Sequence, residues 1–245
     1  MLKGKTALIT GGATGMGRAI ALRLGKEGVN VAINYSRSEK EALETKSEAE
    51  ALGVKSIICK ADVADDEQVR GMVSKTIEEF GRLDILVNSA GVTYYVDQDD
   101  LEGLKDEHWD HIMGVNVKGI FHCCRAAATE LKRQKGCIIN ITSVGGLTGM
   151  GSSIAYSASK AAAISVTKSL ARVMAPEVRV NGIAPGIVLT RWVKGREEHV
   201  KRYSDDTPLK RVAQPEDVSE VAYSLIANMN FVTGQNIVVD GGAFI

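Results

Sequence analysis

The amino-acid sequence predicts an α/β fold, a doubly wound parallel sheet of about seven strands with helices on both faces. Two observations predict it. Short apolar runs alternate with amphipathic stretches of helical periodicity from one end of the chain to the other. The apolar runs are continuous and do not alternate with polar residues, which is typical of parallel strands covered by helices on both faces.

The strands are predicted where apolar runs end at turn residues. These runs cover residues 5–10, 30–35, 55–60, 85–88, 137–142, 179–184 and 236–239. The helices are predicted between them, over residues 15–27, 38–52, 65–80, 106–135, 155–174 and 215–228. Gly53 and Gly81 stand where C-terminal caps belong, and Pro176 ends the fifth helix.

Length and composition predict a single domain over residues 1–245. The chain is 44% hydrophobic and 24% charged, and it contains no repeat or linker-like tract. Its 30 basic residues balance its 30 acidic ones, which argues against nucleic acid or an anionic membrane as a partner. No apolar run approaches the ~18 residues of a transmembrane helix, and a strand follows the start too closely for a signal peptide. We therefore expect a cytoplasmic protein.

Cysteine and histidine residues give no reason to expect a metal. The four cysteines include no C-x-x-C pair, which favours reduced and mostly buried thiols. His108 and His111 lie near Glu107, but polar residues in the first turn of a helix explain this group more simply. We predict no metal site.

A glycine cluster follows the first strand and opens the first helix, with the spacing T-G-x-x-x-G-x-G over residues 10–17. Glycines let the backbone turn tightly and approach a pyrophosphate, whose charge the helix N-terminus stabilises. The cluster therefore predicts a dinucleotide site of the Rossmann type. The residues expected to contact the dinucleotide here are Gly11, Thr14, Gly15, Met16 and Gly17.

Tyr156 and Lys160 are four residues apart in a predicted helix, so their side chains share one face. A phenol has an unperturbed pKa of about 10, and a fixed ammonium beside it favours the phenolate. Ser143 ends the fifth predicted strand, where its hydroxyl can face the tyrosine across the mouth of the sheet. The three residues predict a site that moves one proton on or off a C–O group.

Taken together, these motifs resemble the short-chain dehydrogenase/reductase family, from Lys3 to Gly242. The resemblance rests on the glycine turn and on residues that follow in family order: Asp62, Val63, Asn88, Ser89, Ala90, Gly91, Asn116, Ser143, Tyr156, Lys160, Pro185, Gly186 and Thr190. Ser89 departs from the second Asn that is usual in the family. The sequence looks most similar to the 3-oxoacyl-[acyl-carrier-protein] reductase branch.

The resemblance implies a role for each matching catalytic residue. Tyr156 is expected to exchange a proton with the substrate oxygen, which Ser143 holds by a hydrogen bond. Lys160 is expected to bind the nicotinamide ribose and to lower the pKa of the phenol. Asn116 is expected to hold a water that links Lys160 to solvent, or to tie neighbouring helical turns together. Further expected cofactor contacts are Asp62, Val63, Asn88, Ala90, Gly91, Pro185, Gly186 and Thr190.

The residues after the second strand indicate which dinucleotide is bound. An NAD site usually has an acid about twenty residues beyond the glycine turn, to bind the ribose 2′-hydroxyl. Here Tyr35 takes that position, followed by Ser36 and Arg37, and the first acid is Glu39. A guanidinium binds phosphate well, so we expect NADP(H) in preference to NAD(H).

The substrate is expected to be a small carbonyl compound or alcohol. Its predicted contacts are Ser143, Gly145, Tyr94, Tyr156 and Trp192, and residues 187–211 are expected to form a lid-like insertion. Trp192 packing against a second subunit is the alternative. The family resemblance implies a homotetramer and an NADP(H)-dependent ketone reductase. A sugar, polyol, steroid or cyclic-alcohol dehydrogenase, or a dinucleotide-binding protein without activity, are the alternatives.

Overall fold

The computed structural model describes residues 2–244 of the chain. Seven parallel strands form one sheet in the order β3-β2-β1-β4-β5-β6-β7, which confirms the predicted fold class. The strands are β1 (Thr6–Thr10), β2 (Asn30–Tyr35), β3 (Ser56–Lys60), β4 (Ile85–Asn88), β5 (Cys137–Ile141), β6 (Arg179–Pro185) and β7 (Asn236–Val239).

Helices connect the strands and cover both faces of the sheet. They are α1 (Gly15–Lys26), α2 (Glu39–Ala51), α3 (Asp66–Phe80), α4 (Asp106–Met113), α5 (Gly119–Gln134), α6 (Gly145–Thr148), α7 (Ile154–Met174), α8 (Glu197–Asp206) and α9 (Pro215–Ala227). Within the described residues, no helix is both long and apolar enough to span a membrane.

The core consists of two apolar layers, one on each face of the sheet. Successive side chains of β1 illustrate the division, because Ala7 and Ile9 belong to one layer and Leu8 to the other. All three are fully buried. Burial on both faces accounts for the continuous apolar runs from which the strands were predicted.

Side-chain caps begin the helices α3 and α7. The Asp65 side chain accepts hydrogen bonds from the backbone of Glu67 and Gln68 and so begins α3. The Ser153 side chain accepts one from the backbone N–H of Tyr156, which places this tyrosine in the first turn of α7.

The structure differs from the sequence prediction in three connections. One is the connection from β5 to α7, which contains the short helix α6 that was not predicted. The helix predicted over residues 106–135 is interrupted by a π-helical turn at Gly114–Lys118, which separates α4 from α5. The insertion predicted over residues 187–211 contains a 3₁₀ turn at Arg191–Val193 and the helix α8, which the sequence prediction omitted. Alpha8 has no fully buried residue, and Val200 and Tyr203 are its only apolar side chains, which are too few to identify a helix from the sequence.

Candidate active site

The candidate site is a cleft at the carboxyl ends of the strands. Strand order reverses between β1 and β4, and such a switch point is where open α/β sheets form a ligand crevice. The cleft has a volume of about 1400 Å³, large enough for a dinucleotide with a substrate beside it.

The glycine turn forms one wall of this cleft. Gly11 has a φ of 61°, and a Cβ there would lie 3.0 Å from the backbone of Ala90. A Cβ on Gly17 would overlap the carbonyl oxygen of Gly11. The Thr10 hydroxyl accepts hydrogen bonds from the backbone of Ser89 (3.0 Å) and Ala90 (3.1 Å), which joins this turn to the end of β4. Only glycine fits where the two chain segments approach this closely.

Tyr156 and Ser143 lie together in the cleft. Burial raises the pKa of Tyr156 to about 12, while the nearby Ser143 hydroxyl acts in the opposite direction by hydrogen bonding. The backbone N–H of Gly145 donates to Ser143 Oγ at 3.0 Å. This bond occupies a lone pair of the serine oxygen, so the hydroxyl proton can point toward a ligand.

Lys160 is almost fully buried below the tyrosine. Its ammonium donates a hydrogen bond to the Ile141 carbonyl at 2.8 Å, and burial lowers its pKa to about 8. From the family resemblance, Lys160 was expected to lower the pKa of Tyr156. In the structure the pKa of Tyr156 is raised instead, because loss of hydration is the largest influence on the phenol.

Asn116 lies in the π-helical turn and is fully buried. Its side chain accepts a hydrogen bond from the Val92 N–H (2.9 Å) and donates to the Val92 carbonyl (3.0 Å) and the Ser159 hydroxyl (3.0 Å). The amide therefore ties the chain after β4 to α7, whereas the sequence suggested a tie between neighbouring turns of one helix.

The structure brings most of the predicted residues to one cleft. The predicted cofactor residues that line it are Gly11, Thr14, Gly15, Met16, Ser36, Arg37, Asp62, Val63, Ala90, Gly91, Pro185, Gly186 and Thr190. The predicted catalytic and substrate residues that line it are Ser143, Tyr156, Lys160 and Trp192.

Five predicted residues do not line the cleft: Gly17, Asn88, Tyr94, Asn116 and Gly145. The Asn88 amide instead donates to Asn140 Oδ1 at 2.8 Å, which links β4 to β5 inside the sheet. The Tyr94 hydroxyl shares a 2.8 Å hydrogen bond with Nδ1 of His111, and its ring stacks on His108, so Tyr94 packs against two residues that do line the cleft. These two contacts give His108 and His111, the histidines near Glu107, a structural role that requires no metal. In the described part of the chain, no three potential ligands converge as a metal site.

Tyr95, the neighbour of Tyr94, lines the cleft in its place. Its hydroxyl donates to the Trp192 carbonyl at 2.9 Å, and the Arg196 guanidinium lies 3.6 Å from the centre of its ring. The Trp192 ring meets Tyr156 edge-on, with 6.2 Å between ring centres. Tyr95, Trp192 and Arg196 thus form the wall beside Tyr156. A loop gives no periodicity from which to decide whether Tyr94 or Tyr95 faces inward.

Comparison with known proteins agrees with this fold and cleft. Residues 11–243 match the family model described as enoyl-(acyl carrier protein) reductase. The chain is 38% identical to the 3-oxoacyl-[acyl-carrier-protein] reductase FabG of Staphylococcus aureus (strain Mu50), over 98% of both chains. It is also 38% identical to the oxidoreductase YhdF of Bacillus subtilis (strain 168), over 100% of this chain and 85% of that one.

A solved structure gives the same result. The crystal structure of a short-chain type dehydrogenase/reductase from Mycobacterium marinum superposes with a TM-score of 0.92 at 32% identity, covering 99% of this chain and 96% of that one. The chain belongs to the short-chain dehydrogenase/reductase family. It is an oxidoreductase of the carbonyl/alcohol type by this membership.

Proposed function

We propose that this protein is an NADP(H)-dependent oxidoreductase that interconverts a ketone and a secondary alcohol. The observation that carries the proposal is the position of Tyr156, Ser143 and Lys160 in the same cleft as the glycine turn. A protein that only binds a dinucleotide has no use for a buried phenol, hydroxyl and ammonium at one point of the cleft.

The chain's own residues fit a dinucleotide. Gly11 and Gly15 leave the backbone of the turn uncovered at the start of α1, where backbone N–H groups favour a pyrophosphate. Lys160 at the floor of the cleft is suited to the ribose next to the nicotinamide, which supplies or accepts the hydride when the cofactor is bound. Gly91 lies beside Lys160, and a Cβ there would be 3.9 Å from the ammonium.

Tyr156 is proposed as the group that exchanges the proton. With its pKa raised to about 12, the phenol is protonated near neutral pH and can donate to a carbonyl oxygen that gains charge during reduction. Ser143 donates a hydrogen bond to the same oxygen and stabilises that charge. The positive charge of Lys160 stabilises the resulting phenolate until a proton from solvent returns to it.

Arg37 and Ser36 support the choice of NADP(H). Both line the far end of the cleft from Tyr156 and are exposed. The Glu39 carboxylate accepts a hydrogen bond from the Tyr35 hydroxyl at 2.9 Å. Arg37 is therefore available for a 2′-phosphate, which an arginine binds through two parallel hydrogen bonds.

A 3-oxoacyl-type ketone is the proposed substrate class, supported by the name of the similar Staphylococcus aureus protein. A sugar, polyol, steroid or cyclic-alcohol dehydrogenase is the alternative within the same chemistry. We also propose a homotetramer, supported by the exposed Phe121 on α5 and Val173 on α7. Light scattering of the purified protein gives its mass in solution and tests this assembly.

The decisive experiment follows NADPH oxidation with a panel of substrates. The panel contains a 3-oxoacyl thioester, cyclic ketones, a keto sugar and a 2-enoyl thioester, the last because the matching family model is described as an enoyl reductase. The proposal expects turnover of one or more ketones and none of the enoyl thioester. Turnover of the enoyl thioester alone would contradict the proposed reaction, and NADPH binding without any turnover would favour a binding protein.

A further inference from the structure

Arg191 connects the two walls of the cleft at the end opposite Tyr156. It begins the 3₁₀ turn Arg191–Val193 after β6, and its Nη1 donates a hydrogen bond to Ser38 Oγ at 3.0 Å. Ser38 precedes α2, 153 positions earlier in the chain, and lines the cleft beside Arg37. The guanidinium of Arg191 is thus held next to the place proposed for the 2′-phosphate.

Arg191 is also free of the carboxylates that neutralise arginines elsewhere. Several arginines outside the cleft form an ion pair with a carboxylate. They are Arg18, Arg23, Arg70, Arg82, Arg125, Arg133 and Arg211. Within residues 2–244, neither Arg37 nor Arg191 forms an ion pair. Arg191 uses one of its five N–H donors on a neutral hydroxyl, so the others can bind an anion.

The next residue, Trp192, reaches the other end of the cleft. Its ring meets Tyr156 edge-on, and the tip of the indole lies 3.7 Å from where a Cβ on Gly91 would stand. Gly91 is beside Lys160, so the indole occupies space next to the proposed nicotinamide ribose site. A single 3₁₀ turn therefore contacts both ends of the cleft through adjacent side chains.

We propose that Arg191 is a second phosphate-binding residue and determines specificity for NADP(H). The 2′-phosphate is held between Arg37 on one wall and Arg191 on the other. Because Arg191 and Trp192 belong to the same short turn, holding the phosphate also fixes the position of Trp192 beside Tyr156. This inference rests on the proposed function, since it needs a cofactor that carries a 2′-phosphate.

Binding of cofactor fragments tests the inference without relying on turnover. The titrants are adenosine 2′,5′-bisphosphate and adenosine 5′-monophosphate, followed by calorimetry with the full chain. Arg191→Gln should weaken binding of the bisphosphate about 10- to 100-fold, the effect of losing a charge-assisted contact, and leave the monophosphate unchanged. Lys194→Gln is the matched control, because this exposed cation follows the same turn but does not line the cleft. It should bind both titrants as the wild type does.

Fluorescence tests the link to Trp192. The chain has two tryptophans, so in a Trp109→Phe background the emission reports on Trp192 alone. Adenosine 2′,5′-bisphosphate carries no nicotinamide and so has no group to contact Trp192 directly. The inference expects it to change the emission in that background, and expects this change to disappear when Arg191→Gln is added.

The outcomes separate this inference from the proposed function. If the wild type binds the bisphosphate no more tightly than the monophosphate, the proposed NADP(H) dependence is wrong and the inference with it. If the wild type prefers the bisphosphate but Arg191→Gln keeps that preference and the Trp192 response, the inference is overturned and the proposed function stands.

Discussion

The Lys160 ammonium lies 5.7 Å from the centre of the Tyr156 ring, yet its hydrogen bond goes to the Ile141 carbonyl. Their four-residue spacing places both side chains on one face of α7, as the sequence indicated. Burial then dominates both groups, raising the pKa of Tyr156 to about 12 and lowering that of Lys160 to about 8.

Replacing Tyr156 with phenylalanine should remove the proton donor and little else. We expect turnover to fall at least ~100-fold, the low end of what a positioned acid contributes, with NADPH affinity nearly unchanged. Steady-state kinetics and NADPH titration measure the two effects. Tyr223→Phe is the control, because Tyr223 packs on Arg23 away from the cleft. A Tyr156→Phe variant with normal turnover would show that another group carries the proton.

The two reaction directions should depend differently on pH. A phenol with a pKa of about 12 is protonated across the neutral range, so ketone reduction should vary little between about pH 6 and 8. Alcohol oxidation needs the phenolate. While the pH is below the pKa, the phenolate fraction rises about tenfold for each unit of increase in pH. Initial rates in both directions over this range measure the difference. An oxidation rate that levels off below pH 8 would mean that the bound cofactor lowers the pKa of the phenol strongly.

The buried Lys160 should make stability depend on pH. Its folded pKa of about 8 lies below the ordinary 10.5, so between these values the unfolded chain binds more protons and stability rises with pH. Lys160→Met lacks this group. The free energy of unfolding of the wild type should therefore increase relative to the variant by roughly 3 kcal/mol across this window. Urea unfolding at several pH values tests it, and parallel curves would contradict the lowered pKa.

Reversing the charge at Arg37 should change the choice of cofactor. Arg37→Asp should weaken NADPH binding by roughly 1.5–3 kcal/mol, through loss of a charge-assisted contact, and spare NADH. Titration of both cofactors measures the shift. Lys40→Asp makes the same charge change nearby on α2, outside the cleft lining, and should not alter the ratio of affinities. Equal affinities of the wild type for the two cofactors would refute the assignment without any variant.

The sequence was sufficient for the sheet because each strand is buried on both faces and therefore reads as an apolar run. The glycine turn, Ser143, Tyr156 and Lys160 could also be assigned, since strand ends and helix spacing determine where they lie. The orientation of side chains within loops could not be predicted from the sequence. Whether Tyr94 or Tyr95 lines the cleft depends on the contacts of Tyr94 with His108 and His111 on α4, which the sequence of the loop does not reveal.

Long-range contacts explain what else was missed. Arg191 reaches Ser38 across 153 positions, and no local rule connects the two. Asn88 was predicted only as a cofactor contact, and the hydrogen bond of its side chain to Asn140 on the neighbouring strand β5 could not be foreseen without the strand order. The pKa of Tyr156 was expected to fall because spacing reveals a nearby ammonium but not the loss of water around both groups.

The π-helical turn at Gly114–Lys118 has a consequence for how the long connection between β4 and β5 tolerates change. An i→i+5 turn holds one residue more than an α-turn, and one residue of an α-helix corresponds to about 100° of rotation about the axis. Alpha4 and α5 therefore differ in angular phase by that amount, which lets His111 face Tyr94 while Cys124 faces Asn88 on β4. Deleting a single residue here would restore a continuous α-helix and rotate α4 relative to α5, so that either His111 loses its contact with Tyr94 or Cys124 loses its contact with Asn88. We therefore expect this segment to accept substitutions far more readily than a change of length.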